Sequence, residues 1–546
     1  MFIHKKPPRS HALGEPLLHE NHPKPRTRRD FIAAGLLSGP AVVMAPAWLG
    51  ALLKAGSANA GSLDADISAL LAAAQCNVPL AGAGLPFICF DLAGGANLVG
   101  SEVIVGQQSN MNGPLNAQTN FLTTAGYGLL GVPGNMVPSS SANVDPSLGL
   151  LWHADGAIKR GIMTKITAAT AGGVNGAVIC AMSQNDTQSN PHNPMYGIAM
   201  AGRTGQLLTL IGTDSSASGG NSMAPMELMN PALQPTVIAQ PSDATSLVPL
   251  PPGGKQDPLS VATLESQTRI STGTTPQSGS GDTAAFTGAL SMPNGTTPGV
   301  QLYASAQQDA DLKNQVRCAY VKAANTVNTF GVPSALDPTL DPNIVGPIFQ
   351  ATDFQNSDVK KTATVMKMVL DGFAGAGTIA LGGYDYHDGT RATGETRNFN
   401  AGQMIGAVLQ YAALRKVPVM IYVFSDGSLN ANSMVDNSAA GRGKLGWQGD
   451  NSSVASTFFL AYSPKGRPVL RGAPGAQQIG AFTPDGNVVS TSSPAANSVD
   501  SLVYTLLLNY MGLSGSDALF ASTFPMQTLG GSGQLTPLTV FQPIYP

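Results

Sequence analysis

Short apolar runs recur along the chain, and several of them stop abruptly at a glycine or an acidic residue. "LPFICFDLA" (85–93), "NGAVICAMSQND" (175–186), "GQLLTLIGT" (205–213), "GTIALGGYD" (377–385), "VPVMIYVFSDG" (417–427) and "STFFLAYS" (456–463) are of this kind. Their apolar positions are continuous rather than alternating, which predicts strands buried on both faces. Helical spacing separates several of them. Met404, Ile405, Val408, Leu409 and Ala412 mark one face of a helix over 398–416, and 360–373 and 498–513 repeat the pattern. Strand–helix–strand order with buried strands predicts an α/β fold, a mostly parallel sheet flanked by helices. Two tracts, 213–259 and 271–300, are rich in Ser, Gly, Thr, Pro and Asn and too polar to build a core. They read as long surface loops, or as the border of a loop-rich insertion or cap within 213–350, where the segment from Leu302 to Val327 has helical character.

The first sixty residues follow a different logic. "TRRDFIA" (Thr27 to Ala33) leads into an apolar stretch from Phe31 to Leu53, then Lys54, then "SANA" ending at Ala60. The order resembles a twin-arginine (Tat) export signal with a small-residue cleavage site. An uncleaved anchor is the other reading, since the stretch is nearly long enough to span a bilayer. The resemblance implies passage through the Tat translocase, a periplasmic or secreted protein, and no stable membrane span after cleavage. The mature chain, 61–546, then reads as one α/β domain. Residues 1–60 hold eight of the 29 basic and three of the 32 acidic residues, so the remainder is net −8, with 21 basic against 29 acidic. No basic stripe is left, which argues against a nucleic-acid partner. Of seven histidines, His4, His11, His19 and His22 lie in the leader, and only His153, His192 and His387 follow it. Cys76, Cys89, Cys180 and Cys318 show no C-x-x-C spacing. Cys89 and Cys180 read as buried small hydrophobes, and a Cys76–Cys318 bridge is open.

In an open parallel sheet, ligands gather beyond the carboxyl ends of the strands. The runs deliver Asp91 there, then Asn185 and Asp186 with His192 soon after, then Asp385 and His387, then Ser425 and Asp426. Carboxylates and imidazoles brought to one edge suit a single divalent cation, Zn²⁺ where nitrogen counts and Mg²⁺, Mn²⁺ or Ca²⁺ where oxygen dominates. Each residue also has a plainer reading. Gly-Gly before Asp385 and Asp-Gly after His387 are turn chemistry, Asp426 in "SDGS" suits a turn or helix cap, His192 a surface loop, and His153 packing beside Trp152.

"FICFDLAGG", "NPHNPM", "ALGGYDYH" and "VMIYVFSDGS", in this order, resemble the alkaline-phosphatase/sulfatase-like superfamily, and more closely a Tat-exported bacterial branch of unknown function. "SVDSLVYTLLLNYMGL" resembles that superfamily's late helix. The resemblance implies an alkaline-phosphatase-like sheet. It matches Asp91 to a first-strand metal carboxylate, Asp385 and His387 to an Asp-and-His pair, and Asp426 to the carboxylate of a late Asp-His pair. There are departures. Gly427 follows Asp426 where histidine is usual, no histidine follows His387, and Asn97 stands where the branch commonly has aspartate. No nucleophile stands out among Ser109, Thr119, Thr123 and Thr124. The expectation is one cation held by Asp91, Asp385, His387 and Asp426, with His192 as a further donor. Two functions follow from it: a metal-dependent hydrolase of a small phosphate or sulfate ester, or a non-catalytic envelope or surface protein that keeps the fold around a degraded metal site and binds an envelope component.

Overall fold

A computed structural model of the chain describes residues 84–108, 120–139, 142–183, 190–247 and 333–545. Residues 1–60, read above as an export leader, and Cys76, Cys318, Ser109, Thr119, Asn185, Asp186 and the segment 248–332 lie outside the described residues.

In chain order the strands are β1 (Phe87–Leu92), β2 (Val144–Asp145), β3 (Trp152–His153), β4 (Val174–Cys180), β5 (Leu208–Gly212), β6 (Thr236–Val237), β7 (Ala374–Leu381), β8 (Val419–Ser425), β9 (Leu429–Asp436), β10 (Lys444–Asp450), β11 (Ser456–Tyr462) and β12 (Gln478–Ile479). Eight of them form one sheet in the order β12-β4-β11-β8-β1-β7-β5-β6. Only β11 runs against its neighbours, β4 and β8; every other adjacent pair is parallel. The carboxyl ends of β1, β4, β5, β7 and β8 therefore share one edge. The outermost strands, β6 and β12, are two residues each, so little unpaired backbone is left for another chain to extend.

Every residue of β1, β4, β7, β8 and β11 is buried. The apolar runs are continuous because both faces of the sheet are covered. Side chains alternate across a strand, so β1 feeds two cores. Ile88, Phe90 and Leu92 join one apolar cluster, while Phe87 and Cys89 join the other. The first cluster includes residues of α3 (Ser357–Leu370) and α4 (Ala392–Arg415). The second includes α2 (Met195–Met200) and α5 (Val499–Leu513).

Local chemistry sets the helix limits. Asn356 caps α3 by accepting from the Asp358 amide, and Ser498 caps α5 by accepting from the Ser501 amide. The chain leaves α4 through Lys416 in a left-handed conformation. Helix α4 lies against α1 (Ala157–Met163) at close range, since a Cβ on Gly402 would overlap the Ile158 carbonyl. Strands β9 and β10 form a separate antiparallel ribbon directly after β8. Among the described residues, no helix is long and apolar enough to cross a membrane.

Candidate metal centre

Beyond β7 the chain continues as Gly382, Gly383, Tyr384, Asp385, Tyr386 and His387. The two tyrosines are buried, while Asp385 between them is exposed and His387 after them is half-buried. Tyr384 donates to the Arg397 carbonyl at 3.0 Å. The Tyr386 hydroxyl donates to Asn398 Oδ1 at 3.0 Å and accepts from the Asn97 amide at 3.2 Å. Alternation thus fixes Asp385 and His387 on one outward side, two residues apart, each beside an anchored ring. Gly94 makes room for them. Its φ is +116°, and a Cβ there would lie 2.5 Å from the Asp385 amide nitrogen.

His387 Nε2 lies 2.8 Å from Asp385 Oδ1 and 3.7 Å from Asp450 Oδ1. One donor atom from each of the three side chains falls within 4.8 Å of the others, a spacing that could hold a metal ion. The side chains are 38, 48 and 50 % exposed for His387, Asp385 and Asp450. One imidazole and two carboxylates, open to water, fit a borderline divalent cation with free coordination positions.

Asp450 is the ligand candidate that sequence reasoning missed. It ends β10, paired with Leu429 at the root of the ribbon, and nothing in "GWQGDN" separates it from an ordinary turn aspartate. Only ribbon pairing returns it to the edge where β8 ended. Trp447 helps to hold it there. Its amide donates to the Thr390 carbonyl and its carbonyl accepts from the Gly389 amide, at 3.0 and 2.9 Å. Its ring lies 6.2 Å from Tyr386 and under the Arg391 guanidinium at 4.4 Å. Behind this contact, Glu395 is buried among Arg391, Lys444 and Arg160, at 2.9, 2.8 and 2.6 Å. These cations hold its carboxyl below the usual range although burial opposes them. Asp388 has a different role: it accepts from the Thr390 amide and hydroxyl and from the Thr393 hydroxyl, closing the turn into α4.

No family model, curated protein or solved structure matches the chain.

The five residues expected around one cation do not come together in one group. Asp91, Asp426 and His192 are not in the group with His387. Asp91 follows Phe87 and Cys89 in the alternation along β1, toward the α5 side, where its carboxylate is enclosed by the protein. Asp91 is buried, with Oδ2 accepting from the Ser222 amide at 2.7 Å and Oδ1 from the Ser222 hydroxyl at 3.2 Å. Burial outweighs these bonds and pushes its carboxyl up to about 6.

Asp426 is buried, and its backbone carbonyl accepts from Asn190 Nδ2 at 2.8 Å and from the Ser183 hydroxyl. His192 is buried too, its ring stacked 5.8 Å from Phe424 and its Nε2 3.0 Å from Ser183 Oγ. Since Ser183 gives its proton to a carbonyl, His192 Nε2 carries the hydrogen that bonds Ser183, which leaves Nδ1 bare. Ser183 is therefore not poised as a nucleophile activated by His192. Burial pushes His192 down to about 3. Ser425 also works within the protein. Its hydroxyl lies 2.8 and 2.7 Å from the Leu92 and Gly94 carbonyls and accepts from the Ala96 amide at 2.8 Å. Thr123, a candidate nucleophile, caps a short helix through the Gly126 amide. A separate cavity of about 440 Å³ is lined by Asn190, Pro191, Ser452, Asn497 and Ser498, among others, and by none of the three clustered residues.

Proposed function

We propose that this chain is an exported binding protein with an alkaline-phosphatase-like sheet, one that holds a single divalent cation between Asp385, His387 and Asp450 and uses it for binding rather than for ester hydrolysis. The observation that carries the reading is the convergence of these three side chains within 4.8 Å at the sheet's carboxyl edge. The use of the ion turns on Asp91. A hydrolase built on the expected plan needs the first-strand carboxylate on the ion, whereas here that carboxylate is buried and accepts two hydrogen bonds from Ser222. Export by the Tat route rests on the leader resemblance alone.

A second reading has one observation in its favour. Three partly exposed donors leave positions for a water and a substrate oxygen, the arrangement of a catalytic mononuclear site that activates water or polarises a phosphoryl or sulfuryl group.

Elemental analysis and calorimetric titration of the mature protein with Zn²⁺, Mn²⁺ and Ca²⁺ test the site. Turnover of p-nitrophenyl phosphate and p-nitrophenyl sulfate by the loaded protein tests its use. The proposal expects one equivalent of cation and no turnover. Turnover that is lost in Asp385→Asn would establish the hydrolase instead, and no binding of any cation would remove both readings.

A further inference from the structure

We propose that the segment "MAPMELM" (223–229) is a separate metal site, in which the thioethers of Met223, Met226 and Met229 take one soft monovalent cation, Cu(I). Three methionines recur there at intervals of three residues. Elsewhere in the chain only Met366 and Met368 lie within four residues of each other, and both are buried in the core. In 223–229 the usual burial is inverted. Met223 is 42 % and Met226 79 % exposed, and Met229 is half-buried, while Ala224, Pro225 and Leu228 between them are buried. Ala224 and Leu228 belong to the same apolar cluster as α5. The smaller apolar residues thus anchor the segment and leave the longer thioether side chains toward water.

Backbone bonds set the frame. The Leu228 amide donates to the Pro225 carbonyl at 3.0 Å, and the Met229 amide donates to the Met226 carbonyl at 3.2 Å. Successive bonds of this kind carry side chains three residues apart off the backbone on the same side, which pairs Met226 with Met229. Met223 is held by its own carbonyl, which accepts from the Asn193 amide at 2.9 Å. Pro225 stiffens the link between Met223 and Met226. On this frame the unbranched side chains, each with three rotatable bonds, can close on an ion without moving the backbone. The donor chemistry selects the ion. A thioether is soft and neutral, and soft sulfur ligands suit Cu(I), whereas carboxylate and carbonyl oxygens suit Mg²⁺, Ca²⁺ and Mn²⁺. The surroundings favour positive charge, since Glu227 is exposed inside the segment and no Lys, Arg or His occurs from 204 to 254. No residue is shared with Asp385, His387 or Asp450, so the two sites stand or fall separately.

Anaerobic competition between the mature protein and bicinchoninate for Cu(I), with ascorbate present, measures stoichiometry and affinity, and X-ray absorption at the copper edge identifies the donors. One equivalent per chain with a sulfur first shell is expected. Replacing all three methionines by leucine, of nearly the same volume, is expected to keep the melting temperature and to lower the affinity by about a hundredfold. A second measurement needs no variant. Ag(I), a redox-inert ion of the same class, is added before brief treatment with hydrogen peroxide, and methionine sulfoxide is mapped by mass spectrometry. Ag(I) is expected to slow oxidation of Met223, Met226 and Met229 by about fivefold and to leave Met434 and Met526, 70 and 73 % exposed, unprotected. Failure to hold Cu(I) against the chelator would overturn the site. So would an affinity unchanged in the leucine variant or nitrogen in the copper first shell, either of which puts the ion elsewhere. Protection of Met434 and Met526 equal to that of the three, or no protection at all, would sink it as well.

Discussion

Asp91 carries its charge in the interior at neutral pH, stabilised by two hydrogen bonds from Ser222 and opposed by burial. Its folded value, about 6, lies above the unfolded one of about 3.9. Folding therefore favours the protonated form. The stability this group contributes is fully present below about pH 4 and is lost as pH rises through about 6. Asp91→Asn keeps an acceptor for the Ser222 amide and can donate to the Ser222 hydroxyl. It is expected to stabilise the protein at pH 8 by up to about 3 kcal/mol, the gain fading by pH 4, in urea unfolding at several pH values. A flat difference across that range would show that burial costs this carboxylate nothing. The exposed trio behaves differently. His387→Ala and Asp385→Asn each remove one of the three proposed cation ligands from the surface, so cation affinity is expected to fall at least tenfold while cation-free stability stays within about 0.5 kcal/mol. Calorimetric titration and thermal melts on the same samples read both.

Among elements, the ribbon and the turn after β7 decide whether a site exists. Gly94→Ala places a Cβ against the Asp385 amide on a backbone at φ +116°. The expected cost is about 1–3 kcal/mol, with weakened cation binding because Asp385 must shift. Glu395→Gln leaves buried Lys444 and Arg391 without their shared carboxylate, and the expected loss is about 3 kcal/mol or more, measured by chemical unfolding. Elements of this kind differ in how far the sequence reveals them. Each of the six apolar runs marks a strand, at 87–92, 174–180, 208–212, 374–381, 419–425 and 456–462, the second and fourth beginning one and three residues before the run, because burial on both faces leaves an unbroken apolar signature. The ribbon has no such signature: β9 is mostly exposed or half-buried, and its pairing partner is set by contact with Trp447 and the Glu395 cluster.

For the whole molecule, acid is the informative perturbation. His153 and His192 are buried, and burial pushes them down to about 4 and about 3, below the ordinary imidazole value of about 6.5. Folding therefore favours their neutral forms. The stability they contribute is fully present above about pH 6.5 and is lost as pH falls toward their folded values. The expected loss is on the order of 3 kcal/mol for each by pH 4, partly offset in the wild type by Asp91, which titrates in the opposite sense. Unfolding midpoints at pH 7, 5.5 and 4.5 are expected to fall, and to fall more steeply in Asp91→Asn. A midpoint independent of pH across this range would contradict the burial of both imidazoles.

The sequence by itself determined the α/β character, six of the strands and three of the helices, since continuous apolar runs and helical spacing are local signals that burial imposes directly. It also pointed to Asp385 and His387, set apart by a glycine pair and a scarce histidine. Which partners those residues meet was decided by tertiary structure. Packing on the α5 side gave Asp91 to Ser222, and ribbon pairing brought Asp450 beside His387. Neither follows from residue spacing, because both depend on which strand lies beside which and on the face toward which each one turns.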